Sequence, residues 1–169
     1  IGIVACADGG GIGFNNKIPW RLPEDQKQFK RFTLHQPVIM GRVTFEGLPS
    51  SVKPLPNRFN IVVSSTVPVE DSASLFYRTS IRDALVLAEQ LLPQCPTREV
   101  FVIGGSTIYH ALWEKFDALY VSRLKASAIC DCFIPPIDPA KLLLRYEIEH
   151  PETPPAPAWT FSTYERRRL

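Results

Sequence analysis

The sequence predicts an α/β fold: a single domain over residues 1–169, with a mostly parallel central β-sheet flanked by helices and an antiparallel C-terminal edge hairpin. Two observations carry this. The apolar runs are short and alternate with stretches of helical character. The first five runs are separated by segments long enough for parallel crossovers, whereas the last two are joined across a proline-rich span. At 169 residues, 45% hydrophobic and 21% charged, the chain has single-domain size and can bury a real core.

The elements follow in order. The apolar opening Ile1–Ala7 is the first strand. Pro23 then stands where a first-turn proline is tolerated, because its missing N–H would have no helical partner, and a helix is expected over Glu24–Thr33. Strands are expected at Val38–Met40, Asn60–Ser64 and Leu75–Arg78, with Pro49–Pro56 a stiff loop before the second of these. Ser80 and Asp83 resemble a capping box with Asp in place of Glu, and Pro93 supplies a stop, giving a helix over Ser80–Leu92. Val100–Ile103 is a strand that runs into Gly104-Gly105, and Ser106–Trp113 is the helix after it. Strands Ala118–Leu124, Tyr146–His150 and Thr160–Arg167 complete the set. Pro151, Pro154, Pro155 and Pro157 contain PxxP spacing, read here as a rigid loop between strands rather than an adaptor ligand. No internal repeat is present.

Charge and cysteine usage narrow the function. A net charge of +2 with no basic stripe argues against a dedicated nucleic-acid binder. Arg166-Arg167-Arg168 reads as a solvated chain end. No apolar run approaches the roughly 20 residues of a membrane span. Cys6, Cys95, Cys130 and Cys132 lack zinc-ligand spacing, so no metal is expected. Free thiols in a reducing cytoplasm are the expectation.

The stretch with most chemical content is Ile18-Pro19-Trp20-Arg21-Leu22-Pro23-Glu24-Asp25. Asp25 and Phe29 are four apart and share one helical face, with Phe32 nearby. An acid on the face of two phenylalanines is expensive to bury unless it has a partner or a job; the alternative is a first-turn carboxylate answering the helix dipole. Gly9-Gly10-Gly11-Ile12-Gly13 only half matches a dinucleotide fingerprint and otherwise reads as a flexible loop. Gly104-Gly105-Ser106-Thr107 lies between a strand and a helix start, where bare backbone admits a phosphate; a tight turn without ligand is the alternative. Gly41-Arg42-Val43-Thr44 repeats the pattern, with an arginine where a ribose-binding acid would select NAD.

These segments, with Val38–Phe45, Asn60–Ser65 and Val100–Tyr109 in sequence order, resemble dihydrofolate reductase from the first residue to about Pro135, and more loosely beyond. The resemblance implies an NADPH-dependent reduction of dihydrofolate to tetrahydrofolate, by hydride transfer to C6 and water-relayed protonation of N5. It implies that Asp25 matches the acid on the pterin's nitrogen edge, oriented by Ser122, with Trp20 beside the relaying water and Tyr109 near the nicotinamide. Ile3, Val4 and Ile103 then border the pterin; Phe29 and Leu48 sandwich the benzoyl ring, with Leu55 at the rim. Arg58 grips the substrate's α-carboxylate in a bidentate fork that lysine cannot copy. For the cofactor it implies Ala5, Ile12, Gly13, Asn16 and Lys17 in a mobile loop, and Gly41, Arg42, Val43 and Thr44 after the second strand. It adds Ser64, Ser65, Thr66 and Arg78 around the adenosine, and Gly104, Gly105, Ser106, Thr107, Ile108 and Tyr109 at the second glycine turn, which similar proteins hold as a cis Gly–Gly peptide.

Val43 and Thr66 are uncharged where relatives often carry a second basic residue, which leaves Arg78 to compensate. Cys132 is a departure too, a thiol where relatives carry a threonine hydroxyl that supports the glycine loop. Diaminopyrimidine antifolates are expected ligands, and a cytoplasmic monomer needing neither nucleic acid nor membrane is the family default. Two other readings remain at this point: an NADPH-dependent pyrimidine reductase of riboflavin synthesis, and a non-catalytic folate- or nucleotide-binding module.

Overall fold

A computed structural model describes residues 1–168. The chain is α/β, with mostly parallel sheet and antiparallel strands at the C-terminal edge. Its contacts divide it into two compact units, Ile1–Phe29 with Tyr109–Leu169, and Lys30–Ile108.

The second unit holds the parallel run. Strands β3 (Pro37–Gly41), β4 (Phe59–Val63), β5 (Leu75–Arg78) and β6 (Phe101–Val102) pair side by side in the order β5-β4-β3-β6, every ladder parallel. Val38, Ile39, Met40, Ile61 and Val62 are fully buried, which is why these strands read as unbroken apolar runs rather than alternating ones. Helix α3 (Ile81–Leu91) buries Ala84, Leu87, Ala88 and Leu91, a single 3.6-period stripe. Ser80 caps it: its hydroxyl accepts from the Asp83 N–H at 3.1 Å and donates to Asp83 Oδ2 at 2.7 Å. A cap of this kind is worth about 0.5–2 kcal/mol.

The first unit is mixed. Strand β1 (Gly2–Cys6) runs parallel to β7 (Ala118–Leu124), and β7, β10 (Trp159–Arg166) and β9 (Leu142–His150) follow as antiparallel neighbours. The prolines between β9 and β10 form the connecting loop, closed by paired hydrogen bonds between Thr153 and Ala156 around a cis Pro154–Pro155 bond. Strand β9 starts at Leu142, not Tyr146 as expected, because a register shift in its ladder opposite Thr163/Tyr164 breaks the alternation that marks a strand.

Among the strands and α-helices of the described residues, three escaped the sequence reading. The glycine segment expected as a flexible loop contains strand β2 (Gly11–Gly13), antiparallel to β8 (Cys132–Phe133). Arg42–Glu46 is a short helix, α2. The terminal arginines are not simply solvated either. Arg166 donates to the carbonyls of Phe116 (2.8 Å) and Trp113 (2.5 Å), and Arg167 donates to that of Pro139 at 3.1 Å. Arg166 thereby satisfies carbonyls just after helix α4 (Ser106–Leu112) and ties the last strand to them.

Candidate active site

Helix α1 (Pro23–Thr33) opens at the proline, as its sequence dictates, and sets Asp25 in the first turn. Ser122, buried on β7, donates its hydroxyl hydrogen to Asp25 Oδ1. Ala5 of β1, expected beside the cofactor, lies in register with Ser122, so the two are neighbours across a strand pair. Burial pushes the Asp25 carboxyl above its ordinary range, while the Ser122 hydrogen bond and nearby His150 pull the other way. The helix-dipole alternative is therefore not the main influence on this acid; it is half-buried, bonded and perturbed.

Ile3 is buried on β1, and its carbonyl accepts a 2.6 Å hydrogen bond from the hydroxyl of buried Tyr109. A carbonyl has two lone pairs and can accept from more than one donor. Trp20 is half-buried and lines a cleft of about 720 Å³ with Phe14, Lys17 and Ile18.

The glycine strand reaches this unit through close contact. A β-carbon at Gly11 would lie 2.5 Å from Cys130 Sγ, and one at Gly13 3.2 Å from Cys132 Sγ. Phe14 and Lys17 exchange backbone hydrogen bonds at 2.8 and 3.0 Å around Asn15 and Asn16, both with positive φ. Two left-handed residues at a two-residue tip match a type I′ turn, which asparagine tolerates. The Asn15 N–H is held at 2.9 Å by Asp131 Oδ2. Cys132 Sγ donates to the Gly13 carbonyl across 3.6 Å, a weak version of the bond a hydroxyl would make.

In the second unit the expected cofactor residues gather at the C-terminal ends of adjacent strands. Gly41, Val63 and Arg78 are in register across β3, β4 and β5, so Arg42 and Ser64 follow directly at the same level. The Gly104–Gly105 peptide is cis, and the Gly104 carbonyl accepts from Gly41 N–H at 2.8 Å. A side chain at Gly105 would meet Thr44 Oγ1 at 3.2 Å, and one at Gly41 would meet Ile108 at 3.4 Å. Bare backbone bordered by arginine at the carboxyl ends of parallel strands fits the phosphates of a dinucleotide. Two details differ from expectation. Ser64 is buried and spends its hydroxyl on the Thr66 and Val67 N–H groups, while Ser65, Val43 and Thr66 are exposed. Arg42 and Arg78 are already paired, with Glu46 and Asp71.

Arg58 is only 5% exposed, yet among the described residues no carboxylate pairs with it. Its Nε donates to the Pro56 carbonyl at 3.0 Å and its Nη1 to Thr33 Oγ1 at 3.2 Å. It lines a 240 Å³ pocket with His35, Asn57 and Phe59. Burial draws its pKa below the ordinary guanidinium value. Leu55, expected at a rim, is buried at 5% exposure, and Leu48 and Phe29 are half-buried.

The dihydrofolate reductase family model matches residues 1–166. The chain belongs to the dihydrofolate reductase family. It is 42% identical over 124 residues to dihydrofolate reductase type 9 of Escherichia coli, spanning 73% of this chain and 68% of that one. Against the dihydrofolate reductase of Neisseria meningitidis serogroup B the identity is 38% over 137 residues, 80% of this chain and 78% of the relative. A solved dihydrofolate reductase from Enterococcus faecalis, complexed with NADP(H) and RAB-propyl, superposes with a TM-score of 0.81 at 31% identity, covering 99% and 95% of the two chains. As a dihydrofolate reductase family member, the protein is an NADP-dependent oxidoreductase that reduces dihydrofolate, which removes the pyrimidine-reductase and non-catalytic readings.

Sequence reasoning missed three supporting residues of this dihydrofolate reductase. Asn60 is fully buried and binds Leu55 through both ends of its amide, at 2.9 Å each, and the Arg58 carbonyl at 3.1 Å. It fixes the segment that carries Arg58. Thr33 accepts from Arg58, and Asp131 anchors the glycine hairpin. A polar residue inside the apolar run Asn60–Val63 was the one available signal; nothing local marks Thr33 or Asp131.

Proposed function

We propose that Asp25 is the group on which this reductase's chemistry turns. The carrying observation is a half-buried carboxylate, raised by desolvation and fixed by a single hydroxyl, on a helix start beside apolar surface. One carboxylate accepts two parallel hydrogen bonds from an amino-pyrimidine edge, so Asp25 orients the pterin and tunes its protonation. NADPH supplies the hydride for C6 when bound. Trp20 borders the water that delivers the N5 proton, because Asp25 cannot reach N5 while engaged with the pyrimidine edge. With a diaminopyrimidine antifolate bound, the Ile3 and Ile103 carbonyls accept from its 4-amino group, with Val4 alongside. Tyr109, fully engaged with the Ile3 carbonyl, positions that acceptor.

The family resemblance assigns Phe29 and Leu48 to the substrate's benzoyl ring, Leu55 to its rim, and Arg58 to the carboxylate beyond it. Ala5, Ile12, Gly13, Asn16 and Lys17 cover the nicotinamide side. Gly104, Gly105, Ser106, Thr107 and Ile108 take the diphosphate, and Gly41, Arg42, Val43, Thr44, Ser64, Ser65, Thr66 and Arg78 surround the adenosine. Residues 1–169 act as one catalytic domain, a cytoplasmic monomer that needs neither nucleic acid nor membrane and is blocked by antifolates. Support for the pocket assignments is the register of the strand ends and the closeness of the glycines.

The assay is NADPH oxidation by the purified chain with dihydrofolate, with a diaminopyrimidine as inhibitor. Turnover and competitive inhibition are expected. Turnover that survives unchanged in Asp25→Ala removes the assignment.

A further inference from the structure

Arg42 sits at the end of β3 and Arg78 at the end of β5, on either side of Ser64, whose N–H donates to the Arg78 carbonyl at 2.9 Å. Both guanidinium groups are engaged. Arg42 Nη1 donates to both carboxylate oxygens of Glu46 at 2.9 Å, one helical turn on within α2. Arg78 meets Asp71 fork to fork, Nη1 to Oδ1 at 2.6 Å and Nη2 to Oδ2 at 3.2 Å, and its Nη1 also donates to the Tyr77 carbonyl at 2.7 Å. The four charges sum to zero where an adenosine 2′-phosphate is expected to find two unpaired cations. Ser64 Oγ accepts from the Thr66 and Val67 N–H groups and shares a 3.3 Å hydrogen bond with Thr66 Oγ1.

We propose that Glu46 and Asp71 are specificity-determining residues that lower this reductase's preference for a 2′-phosphorylated cofactor over one with a free 2′-hydroxyl. The inference rests on placing the adenosine end at these strand ends. A dianionic phosphate on these arginines either displaces their carboxylates or takes the remaining guanidinium N–H groups, and in both cases it lies close to Glu46 and Asp71. Both acids are exposed side chains on backbone held close to the arginines: Glu46 lies a single turn from Arg42 in α2, and Asp71 belongs to the Asp71–Phe76 bridge that borders β5. Phe45, the neighbour of Glu46, packs edge-on against Tyr77 at 6.1 Å, which holds α2 over the strand carrying Arg78. Burial first, then Glu70 and Glu46, push the Tyr77 hydroxyl's pKa up. A cofactor lacking the phosphate meets none of this repulsion and loses little by finding the arginines occupied.

The test is calorimetric binding of 2′,5′-ADP and 5′-AMP to the full chain and to Glu46→Gln and Asp71→Asn, with NADPH competition. Exposed ion pairs are weak, so each variant is expected to tighten 2′,5′-ADP by about two- to fivefold and leave 5′-AMP unchanged. The gain shrinks at high salt. Equal tightening of both nucleotides, or no change in their ratio, overturns the proposal. Should Asp71→Asn not fold, Glu46→Gln decides alone. Failure of 2′,5′-ADP to compete with NADPH overturns the adenosine placement and this inference together.

Discussion

The Ser122 hydroxyl and the Asp25 carboxylate are bonded across 97 positions of sequence, which joins a strand of the sheet to the first turn of α1. The bond is the only side-chain hydrogen bond that Asp25 makes among the described residues, so the acid's orientation depends on it.

Ser122→Ala removes a bond that favours the ionised acid. The Asp25 pKa, already raised by desolvation, rises further. The acid limb of the kcat/KM profile for dihydrofolate is expected to move to higher pH, with NADPH affinity unaltered. Ser122→Thr restores the parental profile. An unshifted limb in Ser122→Ala contradicts the role.

Desolvation of Asp25 also has a stability signature. Its folded pKa exceeds the value of 3.8, so the native state binds more protons than the unfolded one between the two values. Stability therefore falls as pH rises from about 3.8 through the folded pKa and stays lower above it. Asp25→Asn is expected to raise the melting temperature at pH 7 and to lose that advantage as the pH approaches the unfolded value. Chemical denaturation at pH 7 and pH 4 checks both limbs.

Arg58→Lys keeps a charge but not the planar fork, and it abandons the bonds to Pro56 and Thr33. KM for dihydrofolate is expected to rise about tenfold or more, in line with a lost charged hydrogen bond. The NADPH dissociation constant should hold. A matching loss of NADPH affinity would place Arg58 elsewhere.

Gly11→Ala puts a methyl 2.5 Å from Cys130 Sγ and 2.6 Å from its Cβ. Overpacking of this kind costs about 1–3 kcal/mol. The variant is expected to weaken NADPH binding by loosening β2 from β8, and Cys130→Gly in the same chain to recover it. Cys132→Thr is expected to tighten NADPH, because a hydroxyl bonds the Gly13 carbonyl better than the present thiol.

Strands β3 and β4 were legible because burial on both faces makes them nearly continuous apolar runs, with Asn60 the exception. The sequence declared α1 through Pro23 and α3 through Ser80 and Asp83, each a local signal with a local cause. Strands β2 and β8 stayed hidden, since glycine has low strand propensity and the pairing partners are separated by more than a hundred residues. For the site, Asp25 announced itself by its spacing to Phe29, but its bond to Ser122 came through resemblance alone. Arg42 and Arg78 were legible as cations and illegible as ion pairs. Glu46 is one helical turn from Arg42, but α2 was not foreseen; Asp71 reaches Arg78 through a loop that has no periodicity to read.

The most direct measurement is single-turnover hydride transfer at pH 7 in Asp25→Asn with saturating NADPH. The expected result is parent-like NADPH binding with the transfer rate to dihydrofolate reduced by about a hundredfold or more. A parental rate at that pH contradicts the account.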